Sequence, residues 1–382
     1  MEEQKEQKIK RDAIHYSAVH INSYYPSHPF LITICEREAG KSTVLWLDDV
    51  LSNWRKRNQT AIILRNRIAD ISEAYLDDIE TQINLFEGND VKIRYKKGSI
   101  KDGVVDVNIT DNVTGKEGRL CRVVALSNPV GRIKSLAVSS PSGIYYDECI
   151  LRTSMDEKYV PGTFFRIKEI YNTFQRYCIR EDGTHYVLKF HAYGNPYSKY
   201  FPLADGFNID PQLMHPGAFI VGKDYVLECY RICDELKKEI LKRNPLYSDK
   251  DSDYYRYAFC GEAVDDQHIP LINEFPPNFK LRYVFKVGTR VLQAFRNSPR
   301  NDAVLDDVIY ETEWIVRLAP PKWNTSRTMY CVDFNSMINN TRLVTKEDKC
   351  CFEQLKLAFA RRRIQFMDIT SYYLLESLYP QL

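Results

Sequence analysis

The 382-residue chain contains no run of about 18 apolar residues, so its sequence offers no membrane-spanning helix. Its first twelve residues, MEEQKEQKIKRD, are charged and lack the apolar core of a secretory leader. Ten cysteines are present, yet none forms a CxxC pair or a Cys/His ligand pattern; Cys229 and Cys233 are four apart and Cys350 and Cys351 adjacent. That usage excludes a zinc site and a disulfide framework and predicts reduced, buried thiols in a cytoplasmic protein. No glycine has an aspartate three residues before it, so the switch motif of GTPases is missing. There is no internal repeat and no low-complexity tract. What is abundant is core-forming material, with 44% hydrophobic and 13% aromatic residues. Such a chain folds rather than staying disordered, and its length predicts two or three domains.

Charge is unevenly spread. Residues 277–382 hold 16 Lys+Arg against 11 Asp+Glu, a net of +5, which leaves −3 on the rest. A basic tail on a mildly acidic body points to a polyanionic partner.

Residues 30–35, FLITIC, form a short buried strand, and 41–54 carry helical spacing through Val44, Leu47, Val50, Leu51 and Trp54. TAIILR (60–65) is a second strand and ADISEAYLDDIETQINLF (69–86) an amphipathic helix. Strand, helix, strand and helix in that order predict an α/β domain with a mainly parallel sheet. Residues 91–126 alternate around glycine-containing turns, as β-hairpins inserted at a sheet edge would. SGIYYDEC (142–149) is a core strand ending in two acids, 162–178 a helix, and HYVLKFHAYGNP (185–196) a strand closing on a Gly-Asn-Pro turn. Residues 224–244 are expected to be helical, followed by a polar join at 245–256. The chain then alternates in KLRYVFKVG, DDVIYETEWIVRL and RTMYCVDF and ends in helices.

The chemistry concentrates in FLITICEREAGKS (30–42). A phosphate-binding loop follows a strand and opens a helix. Backbone N–H groups cradle phosphates, a lysine reaches the β/γ-phosphates, and a Ser/Thr hydroxyl ligates magnesium. Lys41 and Ser42 stand in that context, although Cys35 holds the place of the motif's first glycine. Asp147-Glu148, at the end of a later buried strand, completes the set: one acid for magnesium, one as base toward water. TKED (345–348) resembles a guanine-reading motif but lies some three hundred residues downstream of the loop, so ATP is the expected nucleotide.

With these residues in place the sequence resembles the phi29-like DNA encapsidation ATPases of tailed phages, relatives of terminase large subunits. REAGKS (37–42) is similar to their deviant loop with an arginine four residues before the lysine, and IILRNR (62–67) to their arginine-bearing second strand. GIYYDE (143–148) resembles the acidic strand, YVPGTFFRIKEIYNTFQR (159–176) the segment after it, and FHAYGNPYSKYFPL (190–203) the coupling strand. The resemblance covers about residues 25–210. It implies an ASCE-type P-loop ATPase domain over 1–225 with the hairpin insertion, a helical linker over 226–276, and a smaller RNase H-like α/β domain over 277–382. It implies that Arg37, Gly40, Lys41, Ser42, Thr43 and Asp147 hold ATP, with Ser42 and Asp147 on Mg2+. Glu148 then activates water and Asn195 senses the γ-phosphate. A trans-acting arginine on the helix after the acidic strand is Arg176 by position, with Arg166 on the same helix as alternative; Arg37 is open to a role in cis. The implied partners are double-stranded DNA, a portal and procapsid in the host cytoplasm, and further copies of the chain in a ring, a pentamer by resemblance. A structural RNA or small terminase subunit is a possible helper.

Tyr24, Tyr25 and His28 precede the loop strand and are candidates for stacking on adenine or for core packing. In the tail, KLRYVFKVG carries no acid, so a nuclease-dead domain is expected, although Asp302, Asp306, Asp307, Glu311, Glu313 and Asp333 leave two-metal cleavage open. Two basic patches suit phosphate contacts without base reading: Lys356 with Arg361, Arg362 and Arg363, and Lys96, Lys97 and Lys101.

Overall fold

A computed structural model describes residues 10, 14–134, 138–152, 155, 157–180, 182–244, 249–250, 252–287, 290–297, 312–320, 327–331, 338–361, 363–379 and 382. They form two compact units, Met1–Asp265 and Asp266–Leu382.

The first unit is built on β1 (Phe30–Cys35), β2 (Ala61–Arg65), β3 (Val91–Tyr95), β4 (Val104–Asp111), β5 (Lys116–Ala125), β6 (Ile144–Tyr146), β7 (Phe190–Gly194), β8 (Phe219–Val221) and β9 (Tyr225–Tyr230). They lie in one sheet in the order β3-β4-β5-β2-β6-β7-β1-β9-β8. The six strands from β5 to β9 run parallel, while at the edges β4 is antiparallel to both β5 and β3, and β8 is antiparallel to β9. Parallel strands covered on both faces need continuous apolar runs, and FLITIC, AIILR and FHAYG are buried at every position. The two-residue period then sorts the sides. Leu31 and Ile63 enter one core, while Ile32, Ile34, Ile62 and Leu64 enter the other. Strand β7 lies between β1, which leads into the loop at 36–40, and β6, which leads into Asp147 and Glu148. Between β2 and the edge, β3, β4 and β5 form the antiparallel meander that the alternation at 91–126 predicts.

The helices that matter for the site are α1 (Lys41–Thr43), a π-helical stretch at Val44–Leu51, α2 (Ser52–Arg57), α3 (Glu73–Asn84), α4 (Thr163–Gln175), α5 (Asp234–Arg243) and α6 (Asp253–Phe259). One expectation is overturned here. Residues 224–244 are not one helix, because Tyr225–Tyr230 is β9, paired in parallel with β1 along its length. Val226, Leu227, Glu228 and Cys229 are buried in succession, as a covered strand requires, and the helix starts only at Asp234. The charged periodicity of DELKKEILKR belongs to α5 alone.

The second unit has β10 (Phe279–Val287), β11 (Arg290–Asn297), β12 (Trp314–Leu318), β13 (Met329–Cys331), β14 (Thr341–Leu343) and β15 (Ile364–Phe366), in the order β14-β13-β10-β11-β12-β15. Strands β10, β11 and β12 are antiparallel and the outer pairs parallel. Helices α7 (Lys346–Ala360) and α8 (Ile369–Leu378) complete it. TKED turns out to be the N-terminal cap of α7. The Thr345 hydroxyl accepts from the Asp348 N–H at 3.4 Å, and the Asp348 carboxylate accepts from the Thr345 N–H at 2.9 Å. That reciprocal pairing satisfies two otherwise unpaired helix donors and accounts for the motif without a nucleotide.

Candidate nucleotide site

Strand β1 ends at Cys35, still in register with Tyr230 of β9 and almost fully buried. Burial pushes its thiol up to about 11, so it stays neutral. The turn comes later, at Glu38 (φ 57°) and Gly40 (φ 105°). Gly40 is required as glycine, both for its left-handed φ and because a Cβ would come within 3.3 Å of the His15 Cβ. Glu36 points inward and is fully buried, its carboxylate accepting the Ile232 N–H at 3.1 Å. Burial raises its pKa, and its Oε1 finds no partner among the described residues.

Lys41 opens α1, and its ammonium is fully engaged. Nζ donates to the Cys35 and Glu36 carbonyls at 3.0 Å each and to Asn195 Oδ1 at 2.7 Å. Asn195 follows the last residue of β7, Gly194, where a Cβ would sit 2.9 Å from Ile150 Cγ1 and 3.0 Å from the Cys149 Sγ. Glycine therefore lets β7 close onto the chain just past the acidic pair. Ser42 is exposed, and no hydrogen bond engages its hydroxyl among the described residues.

Asp147 and Glu148 follow β6, whose neighbour β2 pairs Leu64 with Tyr146. One residue further along that register, Arg65 meets both acids. Nη1 donates to Asp147 at 2.8 Å and Nη2 to Glu148 at 2.5 Å. The guanidinium also lies 4.6 Å from the centre of the Tyr75 ring of α3. Burial raises the Asp147 pKa, and Arg65 opposes that rise. Glu148 holds φ 55° and is largely exposed.

Lys41, Asn195, Asp147 and Glu148 therefore gather at the carboxyl ends of adjacent parallel strands, where open α/β sheets bind ligands. No protein-family model matches the chain, and neither does any curated protein. Among the solved structures that match, two packaging-motor structures align over nearly the full length of both chains. The Phi-28 gp11 DNA packaging motor aligns at TM-score 0.56 and 13% identity, covering 95% of this chain and 97% of that one. The bacteriophage Phi-29 viral genome packaging motor assembly aligns at 0.56 and 15%, covering 96% and 100%. The chain has the fold of a phage packaging motor subunit. The N-terminal domain of the DNA packaging ATPase from bacteriophage phi29 matches at TM-score 0.43 and 18% identity, over 58% of this chain and 99% of that one.

Other sequence-predicted residues of this packaging-motor fold lie elsewhere. Arg37 is exposed, 5.9 Å from the centre of the Tyr257 ring on α6. Arg176 caps the C-terminal end of α4, beside Tyr177, whose carbonyl accepts the Ser140 N–H. Ser140 precedes β6, so Arg176 sits at the end of the sheet opposite Lys41 and does not join the site within its own chain. Arg166 is tied to the carbonyls of Pro161, Leu126 and Asn128. Tyr25 donates to the Val187 carbonyl just before β7, and Tyr24 packs on Phe219 at 5.2 Å. His28 packs edge-on against Tyr24, so these aromatics are engaged with β8, with the chain before β7 and with one another.

Lys96, Lys97 and Lys101 are exposed on a 3-10 turn between β3 and β4, with Lys97 paired to Glu73. In the second unit Lys356 lies 5.5 Å from the Tyr379 ring centre, Arg361 is exposed at the end of α7, and Arg363 pairs with Glu313 at 2.6 Å. Arg362, Asp302, Asp306, Asp307, Glu311 and Asp333 lie outside the described residues. Among the described residues no group of three His, Cys, Asp or Glu could hold a metal ion. None of their helices is long and apolar enough to cross a membrane.

Sequence reasoning singled out the strand IILRNR but did not assign Arg65 a place in the site. The available signal was an arginine ending one apolar strand and two acids ending another, which meet if the strands are neighbours.

Proposed function

We propose that this chain is an ATP-hydrolysing motor subunit that drives double-stranded DNA through a portal into a procapsid. One observation carries the reading. Within the packaging-motor fold, Lys41 and Asn195 are joined at 2.7 Å at the strand ends that also present Asp147 and Glu148. On nucleotide binding Lys41 exchanges its carbonyl and Asn195 partners for the β/γ-phosphates, supported by the N–H groups from Gly40 to Thr43. Asp147 and Ser42 are hard oxygen donors suited to the Mg2+ that ATP brings. The exposed Ser42 hydroxyl, which no hydrogen bond engages among the described residues, fits that role. Magnesium would neutralise charge on the phosphates. Glu148, released from Arg65, orients water, and Asn195, released from Lys41, turns to the γ-phosphate.

A ring of identical subunits, pentameric by resemblance, would place Arg176 at the neighbouring subunit's nucleotide, beyond reach of its own. The ring acts in the host cytoplasm while attached to the procapsid. Lys96, Lys97, Lys101, Lys356, Arg361, Arg362 and Arg363 contact DNA phosphates, and a structural RNA or small terminase subunit assists assembly. The second unit contacts DNA or portal without cutting.

The test is ATP turnover by purified protein with and without double-stranded DNA. We expect DNA-stimulated turnover, abolished by Lys41→Ala and by Glu148→Gln, with nucleotide binding retained in Glu148→Gln. Little turnover even in assembled, DNA-bound protein refutes the reading in favour of a non-enzymatic capsid-associated or nucleic-acid-binding protein, and turnover indifferent to Glu148→Gln also refutes it. Plasmid nicking in magnesium or manganese, lost on Asp307 or Asp333 substitution, would make the chain a terminase with an active endonuclease instead.

A further inference from the structure

Arg152 lies four residues past Glu148, in the loop that leaves the acidic pair, and neither the nucleotide chemistry nor the basic patches use it. Its guanidinium sits 5.4 Å from the centre of the Tyr257 ring and 5.8 Å from that of Tyr197. The two rings lie 5.1 Å apart. Its Nε is buried and donates to nothing among the described residues, while its backbone N–H is held by the Glu157 carboxylate at 2.7 Å. Tyr197 is two residues beyond Asn195, and its hydroxyl accepts from Asn195 Nδ2 at 3.4 Å. Asn195 in turn accepts from Lys41. Tyr257, fully buried on α6, also carries Arg37 of the phosphate loop over its ring.

A continuous path thus runs from Arg152 through Tyr197 and Asn195 to Lys41, and a second from Arg152 through Tyr257 to Arg37. A planar cation covering two ring faces is a role for arginine, because the guanidinium stacks as well as attracts. Of the two rings, Tyr197 carries the hydroxyl that meets Asn195 and Tyr257 belongs to α6.

We propose that Arg152 is a positioning residue of the nucleotide site. By holding Tyr197 and Tyr257 it fixes Asn195 for the γ-phosphate and lets the site distinguish ATP from ADP. This inference rests on the nucleotide-hydrolysis reading above. Its mark is selectivity, because ADP lacks the group that Asn195 would meet. A residue that merely supports the fold would weaken both nucleotides together.

The experiment measures binding of fluorescent ATP and ADP analogues, and steady-state turnover, for full-length Arg152→Ala, Arg152→Lys and Tyr197→Phe. Arg152→Ala should leave ADP affinity within about twofold, weaken ATP binding about tenfold with KM rising in step, and lower kcat about tenfold or more. Arg152→Lys keeps the charge and should recover part of kcat. Tyr197→Phe removes the hydroxyl that meets Asn195, and the double variant should be no worse than Arg152→Ala alone, since both act on one path. If Arg152→Ala keeps kcat and nucleotide preference while Lys41→Ala abolishes turnover, the inference falls and the motor reading stands. Equal weakening of ATP and ADP also overturns it, as does full additivity with Tyr197→Phe. Should Lys41→Ala bind and turn over nucleotide normally, the hydrolysis reading itself fails.

Discussion

Arg65→Ala removes the guanidinium that bonds both acids of the site. Arg65 is buried, and it meets Asp147 in a pocket where the Asp147 side chain is 19% exposed. Removing one partner of a buried pair leaves an uncompensated charge and costs about 3–5 kcal/mol; the residual exposure of Asp147 places this case near about 3 kcal/mol. The arm to Glu148 adds little, because that side chain is 62% exposed and such pairs are worth about 0–1 kcal/mol. For a unit of this size the loss corresponds to a fall in melting temperature of about 6 °C.

The sign of the pH dependence follows from Asp147. Its folded pKa is already raised by burial, and without Arg65 it rises further. A raised carboxyl destabilises the fold when ionised, so the penalty is full above that folded pKa and disappears as protonation completes toward the unfolded value. Melting followed by circular dichroism at pH 8 and pH 5 should therefore show a smaller deficit for Arg65→Ala at the lower pH. Adding Asp147→Asn should recover most of the deficit at pH 8. A deficit equal at both pH values and untouched by Asp147→Asn would refute the electrostatic argument and place the cost in packing against Tyr75.

Three further outcomes are expected. Arg55 donates to both Asp111 oxygens at 2.8 and 3.0 Å and to Asn89 at 2.9 Å, pinning α2 to the β3–β5 meander. Arg55→Ala should cost about 3 kcal/mol by denaturant melting, since it strands a carboxylate with no exposed side-chain surface. Burial pushes the Asp111 pKa up, but its bonds to Arg55 and Thr114 outweigh that and leave it lowered. The associated stability is present above the ordinary carboxylate range and lost as the pH falls below that range through the lowered folded pKa; a wild-type protein no more acid-sensitive than Arg55→Ala would contradict this. Gly194→Ala drives a Cβ against Ile150 and Cys149, costing about 1–3 kcal/mol in melting experiments, and it should lower turnover more than stability by moving Asn195. Arg176→Ala should leave nucleotide binding intact and stop multiple turnover by about 10³-fold. Wild-type single subunits hydrolysing normally at high dilution would refute the trans assignment.

The parts of the fold that could be read from the chain are those where burial alone decides. β1, β2 and β7 are apolar at nearly every position because both faces are covered, and that composition is visible without neighbours. β9 was hidden because Tyr225–Tyr230 runs straight into the charged periodicity of α5, and only its pairing with β1 marks it as a strand. Arg65 was hidden for a related reason. Its meeting with Asp147 and Glu148 depends on β2 and β6 being neighbours, a fact of topology that connects residues about eighty positions apart. Cys35 shows the opposite case, where the residue looked decisive and the backbone removes the difficulty. A first glycine serves a phosphate loop by allowing the chain to turn at once. Here Cys35 remains in the strand, the left-handed turns fall at Glu38 and Gly40, and the buried Glu36 carboxylate holds the loop to Ile232 beyond β9. The loop owes its shape to an anchored carboxylate and a delayed turn, so Cys35 need supply no conformational freedom.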